Sequence, residues 1–162
     1  MRHKRPRLNP ALYIGLQRYF LTFCASERRI VFTNSEVVDL VRDQILTTAS
    51  SFDVAIVVDC FMPDHVHLLV EGETESADTL AFVHQAKQRS GYTFSQRWKT
   101  RLWQPSFYDR VLRDDDSVLS VARYIVENPV RAGLTASPRE YPFLKSERYS
   151  MDEILEAVCW QP

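Results

Sequence analysis

The sequence predicts an α+β fold in which an antiparallel sheet carries helices. Three observations support that reading. β-prone runs alternate with segments of helical period in the order strand, helix, strand, strand, helix, strand. Only Pro63-Asp64 separates the two middle strands, which is hairpin spacing. Beyond that alternation, a last amphipathic stripe opens on Asp114-Asp115-Asp116, where a helix dipole favours carboxylates.

The elements follow in chain order. Tyr19-Phe20-Leu21-Thr22-Phe23 is a short β-prone run. Thr33-Asn34-Ser35-Glu36 reads as a capping box, and Val37, Val38, Val41, Ile45 and Leu46 follow at helical spacing. Val54 to Met62 predicts a central strand, and His65 to Val70 the strand paired with it. Gly72 to Ser76 is a polar loop. Leu80, Phe82, Val83 and Ala86 predict a second helix running toward Ser90, with Gly91 as its expected interruption. Trp98 to Trp103 reads as loop or helix end, and Phe107 to Leu112 as a fourth strand. Val118, Leu119, Val121, Ala122, Ile125 and Val126 form the apolar side of a third helix. Pro129 is expected to end it nearby, with Gly133 in the exit turn. Ser150 to Val158 predicts a short final helix. This order is the ferredoxin-like βαββαβ plan with an additional C-terminal helix. Such a sheet has helices on one face and leaves the other open.

The chain of 162 residues suits one domain, 1–162, with a core of about 13–134 and an extension of 135–162. No linker, repeat or low-complexity stretch divides it. No apolar run is long enough to span a bilayer, and no apolar segment follows the basic start to make a signal peptide. Cys24, Cys60 and Cys159 are few and widely spaced, which fits a reducing, cytoplasmic setting. The formal net charge of −1 hides an uneven distribution. Residues 84–113 hold Lys87, Arg89, Arg97, Lys99, Arg101, Arg110 and Arg113 against Asp109 alone, and Arg2, Lys4, Arg5 and Arg7 lie at the start. A basic stripe with an acidic back suits a polyanion, though a solvated helix face has the same composition. Tyr92, Phe94, Trp98 and Trp103 interleave with those cations, as single-stranded nucleic acid requires. Some of these rings must belong to the core instead.

The most informative segment is Met62-Pro63-Asp64-His65-Val66-His67-Leu68-Leu69-Val70. Successive side chains of a strand point to opposite faces. His65 and His67 therefore share the open face, while Val66, Leu68 and Val70 turn to the helix-covered one. Paired neutral imidazoles on a rigid sheet can hold a divalent ion. Two hydrogen-bonded histidines on a half-buried strand would look the same in sequence. Tyr124 and Asn128 are four apart on the third helix, at the margin of its apolar stripe. If that helix packs across the open face, a phenol and an amide oxygen arrive beside the imidazoles. The amide oxygen is a ligand type suited to Mg²⁺ or Mn²⁺. The phenol is a nucleophile for a metal-polarised phosphodiester, giving a phosphotyrosine and a free 3′-hydroxyl. A tyrosine at a core edge and an asparagine at a helix end are the structural alternatives.

These residues carry a resemblance. The blocks Met62 to Leu69, then Trp103-Gln104 with Phe107-Tyr108-Asp109 and Val111-Leu112-Arg113, then Ala122-Arg123-Tyr124-Ile125 with Asn128-Pro129-Val130-Arg131-Ala132-Gly133-Leu134, span most of residues 19–134. In this order and spacing they resemble HUH single-tyrosine transposases of the insertion-sequence-200 type, and in particular the REP-associated tyrosine transposases. The resemblance implies His65, His67 and Asn128 as metal ligands and Tyr124 as catalytic nucleophile, with Mg²⁺ or Mn²⁺ as cofactor. It implies a partner that is single-stranded DNA with hairpins, cleaved and rejoined through a covalent 5′-phosphotyrosine. It also implies a monomer, where insertion-sequence relatives are often homodimers. Arg131 joins the expected DNA contacts. Relatives carry a histidine beside Asp109; here its neighbours are Tyr108 and Arg110. Two other classes remain on the residues alone: a non-catalytic single-strand-binding protein, and a metal-dependent nuclease that uses water.

Overall fold

The computed structural model describes residues 9–162. The strands are β1 (Arg18–Cys24), β2 (Val54–Met62), β3 (His65–Gly72), β4 (Tyr108–Leu112) and a two-residue β5 (Leu144–Lys145). They form one sheet in the order β4-β1-β3-β2-β5, antiparallel throughout. The helices are α1 (Ser35–Ser51), α2 (Thr79–Trp98), α3 (Asp115–Arg131) and α4 (Met151–Ala157). The run β1-α1-β2-β3-α2-β4 is the ferredoxin-like order expected from the sequence. β5, too short to leave a periodic signal, was not foreseen. It pairs with Asp59 and Cys60 and extends the sheet past β2.

Alternation along the strands divides the core into two layers. Tyr19, Leu21 and Phe23 of β1 and Val66, Leu68 and Val70 of β3 pack under α1 and α2 with Val41, Ile45, Phe82 and Val83. On the opposite face, Leu69, Val58, Cys60 and Met62 pack with Val121, Ala122, Ile125 and Val126 of α3. Tyr141, Leu144, Ile154, Leu155 and Val158 of the C-terminal extension join that second layer. The face expected to be open is therefore largely roofed, and the extension braces the roof. Arg42 on α1 fastens the extension from the far side. Its Nε lies 3.0 and 3.1 Å from the two oxygens of buried Asp59, and its Nη2 donates to Glu147 at 2.9 Å.

Two local expectations are corrected. The cap of α1 is Asn34, whose side chain accepts from Val37 N, so Thr33 and Glu36 form no capping box. Glu36 instead pairs with Arg97 on α2. Gly91 does not interrupt α2, which runs unbroken for 20 residues because Phe82, Val83, Ala86, Ser90 and Phe94 keep one buried face along it. Pro129 lies in the last turn of α3, which ends at Arg131, as expected. Its missing N–H leaves one carbonyl, that of Ile125, without its helical partner, and the helix ends two residues later. The helix closes on Gly133 at φ 71°, with Gly133 N donating to Val130 O and Leu134 N to Pro129 O, a Schellman motif.

Candidate active site

β3 lies between β1 and β2, so its backbone is fixed on both sides. The register sets Thr22 of β1 and Cys60 of β2 opposite His67. His65 follows the Pro63-Asp64 turn and is half-buried, while His67 is only 5% exposed. Their Nε2 atoms face each other at 3.1 Å. Each Nδ1 is taken by a different neighbour. Asp64 Oδ1 lies 2.6 Å from His65 Nδ1, and Thr22 Oγ1 lies 2.9 Å from His67 Nδ1. A carboxylate can only accept, so Asp64 selects the Nδ1–H form of His65 and leaves a lone pair on Nε2. The Thr22 hydroxyl can donate or accept and thus suits either tautomer of His67. Arg28 Nε holds the second Asp64 oxygen at 2.8 Å. Glu27 and Arg28 take left-handed φ values of 56° and 55° in the turn after β1, which brings that side chain back over Asp64.

Burial, then the neighbouring charges of His65, Arg131 and Arg28, push the His67 pKa down to about 3. Burial also lowers that of His65, against the opposing pull of Asp64. Both rings are therefore neutral near pH 7, the form that binds metals. Among the described residues, no group of three or more His, Cys, Asp or Glu could hold an ion.

α3 supplies the rest. Tyr124 projects from it at the sheet-facing margin, its ring centroid 5.5 Å from that of His67 and 5.8 Å from that of Phe20. Phe20 also touches His67 at 5.3 Å and Tyr108 at 5.8 Å, so one β1 ring seats all three. The Arg131 guanidinium covers the Tyr124 ring at 4.4 Å and donates to Tyr124 O at 3.2 Å. The ring stays 40% exposed. Asn128 lies one turn further along α3, half-buried. Because Gly133 builds the helix cap, Asn128 is not needed for capping.

The expected DNA contacts divide between the two faces. Arg110 stands opposite Phe20 on β4, and Arg131 covers Tyr124, so both border the histidines. Lys87, Arg89 and Arg97 ride on α2, with Lys99 and Arg101 in the loop after it. Lys87 Nζ donates to the carbonyls of Gln104 and Ser106, each at 2.8 Å. Arg97 pairs with Glu36, and Arg113 is exposed after β4. Arg2, Lys4, Arg5 and Arg7 lie outside the described residues. Asp109 faces the α1/α2 layer opposite Leu21 and accepts from the Tyr13 hydroxyl, while its neighbour Tyr108 faces the site. Sequence reasoning missed Thr22, Phe20 and the supporting role of Asp64. Strand pairing sets the first two beside the histidines, and no motif marks them. Asp64 carried a signal in its position next to His65, but it read as a turn residue.

Comparison with known proteins identifies the family. The family described as IS200-like transposases matches residues 14–128. A protein of Haemophilus influenzae described as a REP-associated tyrosine transposase is 27% identical over 150 residues, which is 84% of this chain and 83% of that one. The solved structure of a REP-associated tyrosine transposase bound to a REP hairpin superposes with a TM-score of 0.75 over 98% of this chain and 92% of that one, at 19% identity. The solved structure of a protein described as a transposase from Deinococcus radiodurans matches with a TM-score of 0.53 at 25% identity, over 79% of this chain and 97% of that one. The family match covers both histidines, the tyrosine and Asn128, and the chain belongs to the IS200-like transposases, a family of DNA-cleaving enzymes.

Proposed function

We propose that this transposase cuts and rejoins single-stranded DNA beside hairpins of palindromic repeats, through a covalent 5′-phosphotyrosine on Tyr124. The observation that carries this reading is the convergence of two neutral imidazoles and one exposed phenol: Nε2 to Nε2 at 3.1 Å, and His67 to Tyr124 at 5.5 Å between ring centroids. His65, His67 and Asn128 would hold a divalent cation, Mg²⁺ or Mn²⁺. The two nitrogen donors favour Mn²⁺, since Mg²⁺ prefers oxygen. When bound, that ion would polarise the scissile phosphate and neutralise its developing charge.

The residues divide the remaining work. Asp64 and Thr22 hold the imidazoles by their far nitrogens, so the near ones stay aimed at one point. Phe20 fixes the plane of Tyr124 from one side and Arg131 from the other. The phenol oxygen attacks phosphorus and the P–O3′ bond breaks, its electron pair leaving on the 3′ oxygen. The phenol proton passes to solvent at the exposed side of the ring, and the 3′ oxygen takes a proton from water. The new P–O bond to Tyr124 keeps the bond energy for rejoining. Arg110 and Arg131 border this point as phosphate contacts. We read residues 1–162 as a single HUH domain, its extension bracing α3, acting as a monomer in the cytoplasm. No helix among the described residues is long and apolar enough to cross a membrane.

One gel tests this. Protein, Mn²⁺ and labelled hairpin DNA with single-stranded flanks are run under denaturing conditions. An adduct present in the wild type and absent in Tyr124→Phe is the expected result. Cleavage without an adduct would assign the attack to water, and binding without cleavage would leave a binding module.

A further inference from the structure

A groove of about 680 Å³ runs between α2 and the loop after it, on the far side of the sheet from Tyr124. Lys87, Tyr92, Lys99, Arg101 and Trp103 wall it and Gly91 lies at its floor. Its lining includes three cations and no carboxylate. The Tyr92 ring is 65% exposed and belongs to neither apolar layer. The groove is preformed. Trp103 Nε1 donates to Ser90 Oγ at 2.9 Å, and the Trp103 ring packs against Phe23 and Phe32. Lys87 pins the loop by its carbonyls. Lys99 Nζ donates to Gln96 O and Arg101 Nε to Trp103 O, which leaves each cation further N–H groups.

Gly91 points to the same use. Glycine weakens a helix interior and needs a reason there. Its φ is not positive, and a Cβ would meet only Trp103 Cδ1, at an ordinary 3.5 Å. Neither backbone conformation nor packing requires it. Gly91 lines the groove, and any larger side chain there would be added to the groove wall beside Trp103.

The loop that walls the groove is tied to the end of the sheet that carries His65. Cys24 pairs with His65, and the next residue, Ala25, bridges to Trp103. Arg28 reaches Asp64, while Arg29 donates to the carbonyl of Arg101. Arg28, Arg29 and Arg101 thus stand between His65 and the groove.

We propose that this groove takes an unpaired nucleotide of the DNA flank, its base stacked on Tyr92 and its phosphate between Lys99 and Arg101. The inference rests on the reading of the substrate as single-stranded DNA. An exposed ring flanked by cations is the chemistry of single-strand binding. Duplex bases are already stacked on one another and gain nothing from a lone ring, so the occupant is unpaired.

The test measures fluorescence anisotropy of the full-length protein with two labelled probes: a hairpin carrying a thymidine flank, and the same hairpin without it. Tyr92→Ala is expected to weaken binding of the flanked probe about five- to hundredfold and leave the bare hairpin unchanged. Tyr92→Phe keeps wild-type affinity. The side chain is exposed, so an unchanged melting temperature confirms folding. Equal binding of the flanked probe by Tyr92→Ala overturns the proposal. An equal loss on both probes also overturns it, by assigning the groove to the duplex. Failure of the transposition reading registers separately, as a wild-type protein that forms no adduct on either probe.

Discussion

His67 and Tyr124 pack ring against ring, yet the two halves of the site are held in unlike ways. The histidines sit on the β3 strand, flanked by hydrogen-bonded neighbours, and each has one ring nitrogen tied to Thr22 or Asp64. Tyr124 rides on a helix attached to the sheet mainly by apolar packing of Val121, Ala122, Ile125 and Val126, with one ion pair, Arg18 to Asp115, at its start. Phe20 and Arg131 position its ring by its faces and edges. The histidine half, proposed to hold the metal, is specified by directional bonds, where a small misplacement would ruin coordination. The half proposed to hold the nucleophile is specified mainly by shape, which fixes the ring and leaves its oxygen to the substrate.

The largest expected effect comes from removing a directional donor outright. His67→Ala should abolish cleavage of hairpin DNA in Mn²⁺ while hairpin binding, measured by gel shift, stays near wild type. Cleavage at the wild-type rate by that variant would refute the histidine assignment. Next comes the support behind the donors. Asp64→Asn should lower Mn²⁺ affinity by about 10- to 100-fold, the usual cost of losing such a partner. Thr22→Val should cost less, because a neutral hydroxyl is lost rather than a carboxylate. Calorimetric titration with Mn²⁺ gives both numbers, and an unchanged affinity in Asp64→Asn would show that the turn alone aims His65.

The same division explains what was legible in the sequence. The period-2 pattern set His65 and His67 on one face, and the period-3.6 stripe set Tyr124 and Asn128 on one side of a helix. Both are local signals. Strand pairing is not local: nothing near Thr22 or Phe20 shows that β1 runs beside β3, yet these residues hold His67 and Tyr124. The extension's share of the roof over the second face was hidden for a related reason. The extension contributes scattered apolar residues, Tyr141, Leu144 and Ile154, with no run long enough to read. Gly91 was misread because a helix-breaking residue was weighed without the buried stripe that carries α2 through it.

A smaller effect tests the shape-held half. Arg131→Gln removes the cation over the Tyr124 ring, a contact worth about 0.5–1 kcal/mol at an exposed position. Adduct formation should slow by about two- to fivefold, with Mn²⁺ affinity at pH 7 unchanged. A matching fall in metal affinity would mean that the two halves are not independent.

The smallest expected effect is a flat line. A metal-bound histidine must be neutral, so an ordinary pair would lose affinity as pH falls through about 6.5. Here both pKa values are lowered, that of His67 to about 3. A lowered pKa extends the neutral form to more acid conditions, so Mn²⁺ affinity should hold as pH falls from neutrality through about 6.5 and decline only below it. Burial is the first cause, and the charges of Arg131 and Arg28 add to it for His67. Arg131→Gln should therefore move the acid limb upward in pH, in the direction opposite to Asp64→Asn, since Asp64 is the one neighbour that raises both histidines. A titration series across pH in the three proteins decides the matter. A wild-type midpoint at or above about 6.5 would mean that the imidazoles meet water as ordinary histidines do, and the directional half of the site would lose its distinction from the other.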